Sequence, residues 1–244
     1  MIMRTMERLC CLVGLENNFG VTGICPEATI SVSSRFFSEG NDADCQHDQI
    51  IADAIDAAWN ALAPGDIILV EVQAAKILEH AFPAEYCQET QNAINRAVNA
   101  GIIVIEPAGN GNQNIDDVVS SGAILVGASK SSTLTRLQGT NFGNRVDVHA
   151  WGENVVTTGY ATLYGNQSST LNDDYTDVFG GTSSSSALVA GAAACLQGIF
   201  YAYTGNKLTP VQMRNILKNS GIPHQDPFNN IGRRLNLPLA VNYI

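Results

Sequence analysis

Phe179-Gly180-Gly181-Thr182-Ser183-Ser184-Ser185-Ser186-Ala187-Leu188-Val189-Ala190-Gly191 is the stretch on which the fold turns. Two glycines permit a tight turn, because glycine accepts backbone angles closed to other residues. Ser183 then reads as the first residue of a helix, where backbone N–H groups and the helix dipole favour negative charge. Two readings follow. Ser183 is an N-cap in a serine-rich turn, or it is a nucleophile set where acyl transfer wants one. The helix behind it separates them. No Asp, Glu, Lys or Arg occurs from Val178 to Asn206, and Leu188, Val189, Ala192, Cys195, Leu196, Ile199 and Phe200 cover its whole circumference. Such a helix is a core helix or a membrane span. The apolar part, Ala187 to Tyr203, is short for a span and contains Gly191, Gln197 and Gly198, so a buried core helix is expected.

Outward from this helix the chain alternates strands and helices. Asp66-Ile-Ile-Leu-Val-Glu-Val72 and Ile102-Ile-Val-Ile105 are continuous apolar runs, the pattern of parallel strands covered on both faces. Ala28–Ser33, Ala123–Gly127 and Arg145–His149 read as further strands. Val155–Thr158 with Tyr160–Tyr164 reads as a short hairpin in a long polar stretch. His47–Leu62 is an amphipathic helix, with Ile51, Ala54, Ile55, Ala58 and Leu62 on one face. Glu85–Ala100 is a second helix, stopped by Gly101. Thr209-Pro210 opens a last helix as N-cap and N1, and Gly221 closes it. This order predicts an α/β fold with a mostly parallel central sheet and helices on both faces, whose ligands sit at the carboxyl ends of the strands.

The chain has 244 residues and 45% hydrophobic content, enough for one full core. A net charge of −10 argues against nucleic acid and anionic membrane as partners. Cys10, Cys11, Cys25, Cys45, Cys87 and Cys195 show no CxxC spacing, which excludes the common zinc and thioredoxin-type patterns. Cys195 reads as a small hydrophobe of the buried helix. Met1–Leu15 lacks the small-residue cleavage site of a secretory signal. No metal site and no cofactor are expected. Gly180-Gly-Thr-Ser183 at a helix start also suits a phosphate, but it lacks the lysine of a P-loop and the net charge disfavours an anion.

A second polar residue joins Ser183. Asn110 lies in Ala108-Gly109-Asn110-Gly111, just beyond a buried strand. Alone it suits a left-handed turn, or it donates a hydrogen bond into a cleft, as an oxyanion donor must. The pair, in this order, resembles the subtilisin-like serine proteases, the subtilases. Gly181-Thr-Ser183 followed by Val189-Ala-Gly191 matches the family's nucleophile motif and selects Ser183 from four serines. Ala108-Gly-Asn110 matches its oxyanion asparagine. Gly20-Val-Thr-Gly-Ile-Cys-Pro-Glu-Ala28 and Val146-Asp-Val-His-Ala-Trp-Gly152 resemble two further family segments. The resemblance runs from about Asn17 to the last helix, and it implies a three-layer subtilisin-like fold.

The resemblance further implies a serine endopeptidase with Ser183 as nucleophile and Asn110 as oxyanion donor. Its polypeptide substrate would run along Val72, Gln73 and Ala74 and the segment ending at Gly109, against the turn of Gly181 and Thr182. The family's aspartate and histidine should precede Gly20. Residues 1–19 contain neither, and none of His47, His80, His149 and His224 stands in a His-Gly-Thr context. Residues 1–16 are therefore read as an aberrant N-terminus and 17–244 as a partial peptidase domain, lacking its N-terminal part. If Met6–Cys10 is encoded ATG-GAA-CGG-CTG-TGC after a C, the shifted frame reads His-Gly-Thr-Ala-Val. An upstream genomic sequence with no such motif in either other frame would end that idea. The competing expectation is a catalytically inert subtilase-like binding domain. A monomer is expected in either case. Secretion is usual for the family.

Overall fold

The computed structural model describes residues 20–33, 48–77, 80–159, 162–165, 174–226 and 228–244. The central element is a five-stranded sheet built from β1 (Ile67–Leu69), β4 (Ile103–Pro107), β5 (Ile124–Ser129), β6 (Val148–Trp151) and β9 (Arg233–Arg234). These lie side by side in that order and every pairing is parallel. Two small antiparallel hairpins flank it: β2 (Gln73–Ile77) with β3 (His80–Pro83), and β7 (Val155–Thr158) with β8 (Tyr175–Phe179).

Side chains alternate across a strand, so a run that is apolar throughout feeds two cores. Leu69, Ile103, Ile105, Ile124, Val126 and Val148 face one way. They pack on α3 (Gly181–Thr204), α4 (Pro210–Ser220) and α5 (Leu237–Val241). Ile68, Val70, Ile102, Val104 and Ala123 face the other way, onto α1 (Asp48–Trp59) and α2 (Gln88–Asn99). The result is three layers, helix, sheet and helix, as the continuous apolar runs predict. The buried Asp48 carboxylate joins the outer helices. It accepts the Glu89 N–H at 2.7 Å and the Thr90 N–H at 2.8 Å, so α1 supplies the cap that Cys87, at the N-cap of α2, does not.

Several expectations change. Ala28–Ser33 forms no regular strand; only Ser33 is bridged, and Val32 stays more than half exposed. β7 pairs with β8; of Tyr160–Tyr164, Tyr160 and Ala161 lie outside the described residues, and Tyr164 bridges to Tyr175. The Glu85 helix opens as a single 3-10 turn, Ala84–Tyr86, before α2. The last helix keeps its Thr209 cap and Pro210, and Gln212 completes a capping box. α3 runs for 24 residues, so by length and composition it is long enough to cross a membrane. In this fold Val189, Ala190, Ala193 and Leu196 place it instead against the sheet. His47 lies outside the described residues.

Candidate active site

Three chain segments meet at the carboxyl ends of the parallel strands. β1 runs through Val70, Glu71 and Val72 into Gln73. β4 runs into Ala108-Gly109-Asn110-Gly111. β6 ends at Trp151-Gly152, against which the start of α3 is folded. The Gly181 N–H donates to the Gly152 carbonyl at 2.7 Å. Gly181 has φ +79°, and a Cβ there would lie 3.2 Å from Asn110 Oδ1, so the turn and the asparagine share one tight contact. Helix α3 begins at Gly181 with Gly180 as its N-cap, which makes Ser183 the third helical residue rather than the first.

The four consecutive serines have different environments. Ser184 Oγ lies 3.1 Å from the Trp151 carbonyl and 3.0 Å from that of Gly181. Ser185 Oγ is 3.0 Å from the carbonyls of both Ala150 and Trp151. Ser186 Oγ donates to Glu71 Oε1 at 2.8 Å and lies 2.9 Å from the Ser183 carbonyl. All three are fully buried, and they tie the first turn of α3 to β1 and β6. Ser183 is half-buried, and its hydroxyl makes no hydrogen bond among the described residues.

Asn110 is exposed and links the other two segments. Its Oδ1 accepts the Thr182 N–H at 3.0 Å and the Thr182 hydroxyl at 3.1 Å. Its own backbone N–H and its Nδ2 both donate to Gln73 Oε1, at 2.8 and 3.0 Å. The asparagine amide thus stands one residue from Ser183 along α3 and already holds a carbonyl oxygen. Asn141 fixes the turn from below. Its Oδ1 accepts the N–H groups of Gly111 and Gln113, and its Nδ2 donates to the carbonyls of Ala81 and Ala108. Gly109, at φ +92°, has no room for a side chain: a Cβ would lie 2.6 Å from the Ala81 carbonyl.

Of the residues expected to contact substrate, Gln73, Gly109, Gly181 and Thr182 gather at this point. Val72 is buried beneath the sheet, in the core shared with α1 and α2. Ala74 is buried and pairs with Phe82 of β3, so β3 occupies one edge of β2. Asn141 carries no sequence signal, since Thr140-Asn-Phe-Gly143 reads only as a turn. Glu71 did carry one, as a lone acid inside an apolar strand.

The described histidines lie elsewhere. His149 is fully buried on β6, with Nδ1 3.1 Å from the Gly232 carbonyl. Burial first, and then the positive charge of His224 and Arg234, pull its pKa down to about 4, against the raising effect of the Gly232 hydrogen bond. His224 lines a polar cavity with Asn144, Lys218 and Arg233. Beside the site, Glu106 is wholly buried. Desolvation and the neighbouring Glu85 carboxylate raise its pKa well above the usual carboxylate range. No cluster of His, Cys, Asp or Glu able to hold a metal occurs among the described residues.

Comparison with known proteins identifies the fold and the family. An extracellular protease of Xanthomonas campestris is 31% identical over 137 residues, which are 55% of this chain and 22% of that protein. A thermostable alkaline protease of Halalkalibacterium halodurans is 25% identical over 198 residues, 81% of this chain and 47% of that protein. The chain thus spans less than half the length of these relatives. The solved structure of a prenylagaramide maturation protease superposes over 100% of this chain and 85% of its own, with TM-score 0.74 and 19% identity. That of a cold adapted subtilisin-like serine proteinase covers 94% of this chain and 72% of its own, with TM-score 0.66 and 19% identity. These two likenesses show the fold, which is the three-layer subtilisin-like one. The family model described as the subtilase family matches residues 10–233, and the chain belongs to that family.

Proposed function

We propose that this chain carries the nucleophile and oxyanion half of a serine endopeptidase site. Ser183 Oγ would attack the carbonyl carbon of a peptide bond, giving its proton to a base. Asn110 Nδ2, with an N–H at the start of α3, would hold the oxyanion. The difference among the four serines carries this reading. Three are buried and hydrogen-bonded into the fold, and only Ser183 sits half-exposed beside the asparagine amide.

Activity of the chain as it stands is expected to be low. Loss of the serine or histidine from a triad of this kind costs about six orders of magnitude in kcat. Roughly 10³-fold acceleration over water can persist from binding and the oxyanion site. The competing reading is an inert binding domain, favoured because no described histidine side chain hydrogen-bonds Ser183 and because the Gln73 oxygen already takes the Asn110 backbone N–H and one of its two Nδ2 hydrogens. A fluorophosphonate probe followed by peptide mass spectrometry separates the two. Adduct on Ser183, lost in Ser183→Ala and reduced in Asn110→Ala, supports the enzyme. A chain that stays folded and takes no label supports the inert domain.

A further inference from the structure

The segment Gly20–Ser33 crosses α3 at a point about three turns behind Ser183. It lies close because Gly191 leaves room: a Cβ there would be 2.9 Å from the Cβ of Ile24. This brings together two cysteines far apart in the chain. Cys195, on α3, donates from its thiol toward the Ile24 carbonyl at 3.2 Å, which sets its sulfur beside the next residue, Cys25. Both cysteines are free and half-buried, so solvent reagents reach them. Cys87, by contrast, is disulfide-bonded.

We propose that Cys25 and Cys195 form a reversible redox pair whose disulfide fastens the Gly20–Ser33 segment to the central helix. With the Cys195 sulfur 3.2 Å from the carbonyl oxygen that precedes Cys25, side-chain rotation is the motion that closes the bond. The oxidant is a small-molecule disulfide of the glutathione type. The Cys25 thiolate attacks one sulfur of that disulfide and releases one molecule of the small thiol. Cys195 gives its proton to solvent, attacks the Cys25 sulfur of the mixed disulfide and expels the second. The two protein thiols lose two electrons and two protons, and the reagent disulfide takes both. Burial first, and then the adjacent Cys25, push the Cys195 thiol up to about 11, so its thiolate is scarce and it is the poorer first attacker.

The test is to equilibrate the full chain in glutathione buffers of increasing oxidised fraction, block free thiols with iodoacetamide, and map peptides by mass spectrometry. The expected result is a peptide pair joined through Cys25 and Cys195 that appears on oxidation and disappears with dithiothreitol. Closing so long a loop should also raise the melting midpoint, on the order of 5 °C, and Cys195→Ser should abolish this shift. Separate glutathione adducts on the two cysteines, or two alkylated thiols at the most oxidising poise, would overturn the proposal. Should Cys195→Ser fail to fold, the peptide map of the unaltered chain decides alone.

Discussion

Arg145→Met lowers the stability of this protein by about 3–5 kcal/mol, whereas Arg96→Ala lowers it by less than about 1 kcal/mol. Both arginines sit in ion pairs of good geometry, and surroundings make the difference. Arg96 meets Asp56 at 2.6 Å with 47% and 29% of the two side chains exposed. Water screens that pair and competes for it. The Arg145 side chain is only 5% exposed. It meets Glu85 at 2.5 Å and Asp147 at 3.1 Å, and it donates to the Ala123 carbonyl at 3.2 Å. Burial works against the Arg145 charge, but Glu85 and Asp147 outweigh it, so its pKa is raised. Without the guanidinium, Asp147 keeps Arg214 and Lys218 at 2.9 Å each. Glu85 keeps the Ser121 N–H and hydroxyl, beside a second buried carboxyl, Glu106, that cannot neutralise its charge as an arginine does. An uncompensated buried charge is the costly result. Urea melts of the two variants beside the unaltered protein check this, and equal, small shifts in midpoint would show that the network does not matter.

The second large effect is one of pH. The folded pKa of His149 is about 4 against 6.5 for a free imidazole. The folded state therefore holds this ring neutral, while the unfolded chain takes up a proton as pH falls below 6.5. Stability from this residue is complete above about pH 7, declines through pH 6.5, and is lost by about pH 4, a total of roughly 3 kcal/mol. Between pH 7 and pH 5 the loss is about 2 kcal/mol. Glu106 acts in the opposite sense, since a raised folded pKa stabilises more as pH falls. A comparison with His149→Asn isolates the histidine, because the shorter amide keeps a donor near the Nδ1 position. The variant should lose about 2 kcal/mol less than the unaltered protein between pH 7 and pH 5. Parallel stability-versus-pH curves for the two proteins would refute the assignment.

The layers were legible because burial leaves a plain record in composition. Strands covered on both faces cannot carry polar residues at alternate positions, so Ile67–Val70 and Ile102–Ile105 announce themselves. Thr209-Pro210 announces a helix start for reasons local to four residues. The missed features depend on partners distant in the chain. β8 takes β7 as its mate across a long connection. β9 contributes two arginines that join the sheet through backbone alone. The site was legible in part, through small residues around Ser183 and Asn110. The amide of Asn141 and the contact of Cys25 with Cys195 were not, because each is made by the fold and neither leaves a local pattern.

The Gln73–Asn110 contact sets a threshold. Asn110 Nδ2 carries two N–H groups, so an arriving carbonyl either takes the second or exchanges with the Gln73 oxygen, which is tethered to the same molecule. A tethered competitor acts at an effective concentration on the order of millimolar or higher. A ligand that also fills neighbouring positions along the chain ends, or one whose oxygen gains charge on arrival, can win the exchange. The glutamine oxygen thereby keeps the Asn110 backbone N–H and one side-chain N–H paired at the same point.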